Sequence, residues 1–123
     1  MVIEYIFIFT KDRLWVMDRN FPGVPRIKRM LKTGTHVLIR LKSDIKLTKI
    51  GATLPDGSYL AILSGGGETI IMRVIEYIVT VAGRQAPDMF CLVTDLTDHI
   101  VHPADKLAAA YRWRWVRREV ALC

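Results

Sequence analysis

Apolar positions along this chain change period several times, and each change marks a predicted element. Residues 2–9 set Ile3, Tyr5, Phe7 and Phe9 against Val2, Glu4, Ile6 and Ile8. Such a β-branched, aromatic run predicts a strand buried on both faces, or else a leader ahead of the domain. Leu14–Met17 is a second short apolar run that stops at Asp18, and Phe21-Pro22-Gly23 then imposes a turn. From Pro25 to Thr33 the spacing becomes helical: Ile27, Met30 and Leu31 fall on one side, Pro25 suits the first turn, and Gly34 is placed to cap the end. Val37–Leu41 returns to alternation, with Val37, Ile39 and Leu41 on one face and Arg40 and Lys42 near the other. Ile45, Leu47 and Lys49 continue extended, and Pro55-Asp56-Gly57-Ser58 is a turn. Tyr59–Leu63 is a strand broken by Gly65-Gly66-Gly67. Thr69–Val81 is rich in Ile and Val and predicts one long strand or two short ones, although Arg73 and Glu76 interrupt it. Gly83–Asp88 reads as a loop and Phe90–Thr94 as a buried strand. Pro103–Leu122, Ala-rich and with Asp105 in its first turn, is the clearest helix.

The element order is therefore strand, helix, hairpin-like strands, strand, helix. It predicts a mixed α/β (α+β) unit with short antiparallel strands inserted between its halves. The triglycine lacks a following Gly-Lys-Ser/Thr and any dinucleotide fingerprint, so it reads as a hairpin turn rather than a phosphate loop. There is no internal repeat, low-complexity tract or linker, and 123 residues suffice for one domain with a real core.

Charge changes the picture. Eighteen Lys and Arg against 12 Asp and Glu give a net charge of +6, which favours a polyanionic partner, nucleic acid before an anionic membrane. Cys91 and Cys123 make neither a disulfide framework nor a zinc spacing, and Cys91 reads as a buried thiol. His99 and His102 lack further ligand types at metal spacing and belong to a loop. The interrupted apolar stretch at residues 1–9 is too short to span a bilayer and has no cleavage site, so a soluble, cytoplasmic protein is expected.

Two segments carry candidate chemistry. Asp18 closes a predicted strand, the position where α/β folds open into a crevice; the competing reading is an ordinary turn aspartate neutralised by Arg19 or Arg26. Tyr111, Trp115 and Glu119 share one broad face of the last helix at i, i+4 and i+8. Arg112, Arg114, Arg117 and Arg118 crowd the same segment. Their mutual repulsion is unfavourable unless anions offset it, and guanidinium groups grip phosphate in bidentate fashion. Trp113 and Trp115 could stack on bases or on arginines. A surface helix with a tryptophan anchor and solvated arginines is the plainer alternative.

With these residues in view, the chain resembles the DDE transposases of bacterial insertion sequences, in the group with a β-rich insertion in a ribonuclease H-like catalytic domain. Leu14-Trp15-Val16-Met17-Asp18-Arg19-Asn20-Phe21-Pro22-Gly23 resembles the strand bearing the second catalytic aspartate. The stretch from Thr35-His36-Val37-Leu38-Ile39-Arg40 through Val74-Ile75-Glu76-Tyr77 to Leu92-Val93-Thr94-Asp95-Leu96 resembles the inserted β-region. Tyr111-x-x-Arg114-Trp115 followed by Glu119 resembles the Tyr-Arg-Glu signature of the catalytic helix.

The resemblance implies one catalytic domain over residues 1–123 with a partial ribonuclease H-like fold. Its strand–turn–helix would span residues 14–34, its antiparallel β-insertion 35–100, and its glutamate-bearing catalytic-type helix 103–122. It implies cutting and joining of DNA phosphodiester bonds during transposition, with Mg²⁺ or Mn²⁺ held by Asp18 and Glu119 as two of three carboxylates. Tyr111, Arg112, Arg114, Trp115, Arg118 and Arg19 would contact DNA at transposon ends, and the full-length parent would be a homodimer. Two features depart from the family pattern. No first catalytic aspartate is identifiable before Asp18, and Arg118 stands where the glutamate usually stands, with Glu119 one place later. The lysine expected about two turns beyond the glutamate is also absent, so a truncated transposase, inactive alone, is the expectation. The alternatives are a non-catalytic basic nucleic-acid-binding module and a globular domain with a structural role.

Overall fold

In the computed structural model, residues 2–6, 13–18, 23–41, 45–79, 83 and 88–121 are described, with side chains at 14–17, 23–41, 45–78, 83 and 89–112. Seven strands and two helices follow in the order β1 (Val2–Ile6), β2 (Arg13–Asp18), α1 (Val24–Lys32), β3 (His36–Arg40), β4 (Leu47–Ile50), β5 (Tyr59–Gly65), β6 (Glu68–Val79), β7 (Asp88–Thr94) and α2 (Ala104–Ala121). All strands belong to one mixed sheet of order β1-β2-β3-β7-β6-β5-β4. Only the β2–β3 pair is parallel, joined through α1; every other neighbour is antiparallel.

Side-chain alternation divides the sheet into two apolar faces. Trp15, Met17, Val37, Ile39, Leu41, Met72, Val74 and Val93 pack with Val24 and Ile27 of α1. On the other face Leu14, Val16, Leu38, Ile75 and Leu92 pack with Ala104, Leu107 and Tyr111 of α2. The strands central to this arrangement are buried on both faces, which is why β3 reads Val-Leu-Ile rather than apolar-polar. The molecule is thus a helix–sheet–helix sandwich of mixed α and β structure. None of its described helices is long and apolar enough to cross a membrane.

Several expectations shift. The β-rich stretch 35–100 shares one sheet with the strands before it: β3 pairs with β2, β7 with β3, and β6, β5 and β4 follow outward. Of the two alternatives for the Ile- and Val-rich run, the single strand is found, as the twelve-residue β6 (Glu68–Val79), and its hairpin partner β5 turns through Gly66-Gly67, both at positive φ (59° and 77°). That turn requires left-handed backbone, so the triglycine is indeed a hairpin. β7 starts two residues before the predicted Phe90, whereas Asp18 is the last residue of β2, the place expected of it.

Candidate nucleic-acid interface

The direction of α2 decides what it can meet. Its N-terminus is tied down beneath Arg73, whose Cα partner on β7 is Thr94. Seven residues into the helix, Tyr111 packs edge-on against Phe90 with ring centroids 6.1 Å apart. Phe90 precedes Thr94 on β7, and β7 runs antiparallel to β3 and hence to β2. The helix therefore runs along β2 and β3 toward their C-terminal ends, where Asp18 is in register with Arg40 and Arg40 with Leu92. Position 18 has the parity of Leu14 and Val16, the residues of β2 that α2 covers.

At this end of the sheet the described side chains form a cluster of aromatic rings and arginines. The Arg40 guanidinium lies 3.9 Å from the centroid of the Phe90 ring, a cation–π contact. Phe90 stacks on Tyr77 at 5.2 Å with a 31° tilt. Tyr77's hydroxyl is buried without a hydrogen-bond partner among the described residues. Burial and the neighbouring Tyr111 push its pKa up to about 12, against the opposing pull of Arg112 and Arg40. The phenol thus stays neutral near physiological pH, with Arg112 and Arg40 both close enough to act on it.

The predicted site residues fall unevenly on this geometry. Tyr111 is fully buried in the core under α2, against Phe90, with no exposed surface of its own. Arg112 is exposed, beside Tyr77. Arg19 lies outside the described residues. Asp18 is placed by its backbone in β2, and Arg114, Trp115, Arg118 and Glu119 by theirs in α2, but their side chains lie outside the described residues. The convergence of the Asp18 and Glu119 carboxylates is likewise outside them. Helix periodicity still places the positions: 118 falls about 20° from the direction of Tyr111 and 119 about 80° away on the other side. The place nearest the sheet is therefore Arg118's rather than Glu119's. Among the described residues no group of three or more His, Cys, Asp or Glu could hold a metal ion.

Two polar clusters escaped the sequence reading. Arg73 has no exposed surface. Its Nε donates to Ser58 Oγ at 2.8 Å, its Nη1 to the carbonyls of Leu96 and His102 at 3.1 and 2.6 Å, and its Nη2 to Asp56 Oδ2 at 2.5 Å. Asp56 Oδ2 also accepts the Ala104 N–H at 3.0 Å, capping α2. Burial works against ionisation of Asp56, but the Ser58 hydroxyl and amide, the Ala104 amide and Arg73 outweigh it and hold the carboxyl well below the usual range. The signal was a lone arginine in an apolar run, a charge that must find partners once buried. At the opposite end of β3 from Arg40, His36 Nδ1 lies 2.6 Å from Asp95 Oδ2, while Asp95 Oδ1 accepts the Val37 N–H at 2.8 Å. His102 is pulled below its ordinary pKa by burial, then by His36 and Arg73. These contacts join β3, β7 and the turn before α2, and serve to orient the helix.

In comparisons with known proteins, the chain matches no family model and no curated protein.

Proposed function

We propose that this chain carries part of a DDE-type transposase catalytic domain of ribonuclease H-like ancestry, and that on its own it binds DNA without cleaving it. The observation that supports this most is topological. β2 with Asp18 at its C-terminal end, and the arginine-rich half of α2, lie at one end of the sheet and on one face of it. Arg40 and Arg112 add positive charge there. Cationic side chains interleaved with aromatic rings suit a phosphate backbone.

Mg²⁺ or Mn²⁺ would be held by the hard oxygens of Asp18 and Glu119 and would supply charge to stabilise in-line displacement at phosphorus. Two carboxylates from this chain leave a two-metal site short of a ligand, so no step of cleavage follows from the residues present. What the chain's own residues supply is phosphate binding by Arg112, Arg114 and Arg118 and a fixed helix from which to do it. The direction of position 119, about 80° around α2 from Tyr111, favours a second reading, a nucleic-acid-binding module without metal.

Fluorescence anisotropy with duplex DNA tests the shared part. Weak binding whose logarithm falls linearly with log salt is expected, with a slope about two to three units shallower in an Arg112→Gln/Arg114→Gln/Arg118→Gln variant. No binding at low salt, or binding indifferent to salt, would sink both readings. Paramagnetic broadening by Mn²⁺ separates them. Selective broadening of resonances near positions 18 and 119, abolished by Asp18→Asn, is expected of the transposase-derived site and not of the metal-free module.

A further inference from the structure

We propose that the outer face of α1 is a second contact surface for duplex DNA, on the far side of the sheet from α2. The choice of partner rests on the DNA-binding reading above; the surface itself does not depend on α2 or on the Asp18 edge. Within Val24–Lys32 there are four cations, Arg26, Lys28, Arg29 and Lys32, and no acid. The helix is held in one orientation, because Val24 and Ile27 are fully buried and Met30 and Leu31 pack against the same core. That leaves Arg26, Arg29 and Lys32 exposed at i, i+3 and i+6, a single ridge in which successive charges rise roughly 4.5 Å along the axis. Like charges at this spacing repel one another. Arg26, Arg29 and Lys32 make no ion pair among the described residues; Lys28 is the cation of α1 that does, with Glu68 at 3.5 Å.

A row of arginines and a lysine on a convex helix, without a pocket, matches a partner whose negative charge is itself arranged in a line. The phosphates of a DNA strand recur about every 3.4 Å along the axis, and flexible side chains accommodate the difference in pitch. Lys49 stands on the same side of the sheet, 5.2 Å from the centroid of the Tyr59 ring, and lengthens the positive surface beyond the helix. A membrane surface fits less well: interfacial helices interleave exposed apolar residues with their cations, and the exposed residues of α1 are all charged.

The test uses the full chain, a short fluorescein-labelled duplex and a KCl series. Arg26→Gln/Arg29→Gln/Lys32→Gln is expected to make the slope of log K against log[KCl] about two to three units shallower. The charge-preserving Arg26→Lys/Arg29→Lys pair should keep the wild-type slope, and unchanged far-UV circular dichroism should accompany both. If the α1 variant binds like wild type while the α2 triple variant weakens, this surface is refuted and the α2 reading stands. If α1 weakens binding and α2 does not, the surface stands and the α2 reading falls. If neither matters, both fall. Loss of binding to phosphatidylserine vesicles without any change toward duplex DNA would also overturn the proposal, assigning α1 to a membrane.

Discussion

Arg73 shows how one charged residue can set the position of a helix. Fully buried, it spends its donors on a turn, a loop and His102, two residues ahead of α2, and Asp56 answers it while capping the same helix. Taking away Asp56 leaves the buried guanidinium without its counter-charge; taking away Arg73 leaves Asp56 part-exposed but still charged beneath the α2 N-terminus. Arg73→Ala and Asp56→Ala are each expected to cost about 3–5 kcal/mol in urea unfolding, and the double variant clearly less than their sum. The pH dependence has a definite sign. Asp56 is held below its unfolded value, so its contribution is complete above about pH 4, where the unfolded carboxyl is also ionised. It is lost as pH falls further and the folded carboxyl takes up its proton. Wild-type stability should therefore drop more steeply below pH 4 than that of Asp56→Asn; equal acid slopes would show that Asp56 titrates normally. The sequence marks Arg73 as an anomaly in an apolar strand. It does not name Ser58 and Asp56 as partners, because 15 and 17 residues separate them from it and only the β5–β6 hairpin register brings them opposite.

Elements were largely legible where period and punctuation agree. α1 spans nearly its predicted residues because Gly23, Pro25 and Gly34 frame a helical apolar stripe. β6 is a single strand because β5 and β7 pair with it in succession, a tertiary fact that no local pattern of Ile and Val contains. The sheet-facing stripe of α2 is Ala104, Leu107 and Tyr111; the resemblance implies a DNA contact for Tyr111, and its burial cannot be seen in a motif. The β5–β6 hairpin also touches α1: a Cβ on Gly66 would stand 3.0 Å from Pro25 Cγ, whereas one on Gly67 would meet nothing within 4 Å. Both glycines have positive φ, so alanine at either is strained by about 1 kcal/mol. Gly66→Ala should cost measurably more than Gly67→Ala in thermal unfolding, the excess reporting the hairpin's contact with α1. Equal losses would mean that Pro25 yields freely.

At the scale of the molecule, the mixed α and β character follows from the alternation of periods, but the single sheet does not. A β-rich insertion flanked by a strand–helix unit and a terminal helix could have formed a separate lobe. It is the parallel pairing of Leu14–Asp18 of β2 with His36–Arg40 of β3 that fuses the two parts, while β3 with β7 carries the sheet onward. The fusion has an energetic consequence. β3, β6 and β7 each contribute to both apolar faces at once: Ile39 and Leu38, Val74 and Ile75, Val93 and Leu92 point to opposite helices. Neither core can be dismantled while the other keeps its strands, so the chain should unfold in one cooperative step. Leu63→Ala on the α1 face and Leu92→Ala on the α2 face are each expected to cost about 2–5 kcal/mol. Both should lower the urea midpoint with little change in its steepness. Far-UV circular dichroism and near-ultraviolet signals should move together in each variant. Separate transitions, with Leu63→Ala shifting one and Leu92→Ala the other, would mean that the β4–β6 strands behave as an autonomous lobe. Helix α2 would then no longer be held at a fixed place over β2, and the edge proposed to bind DNA would lose the rigid support that the sheet gives it.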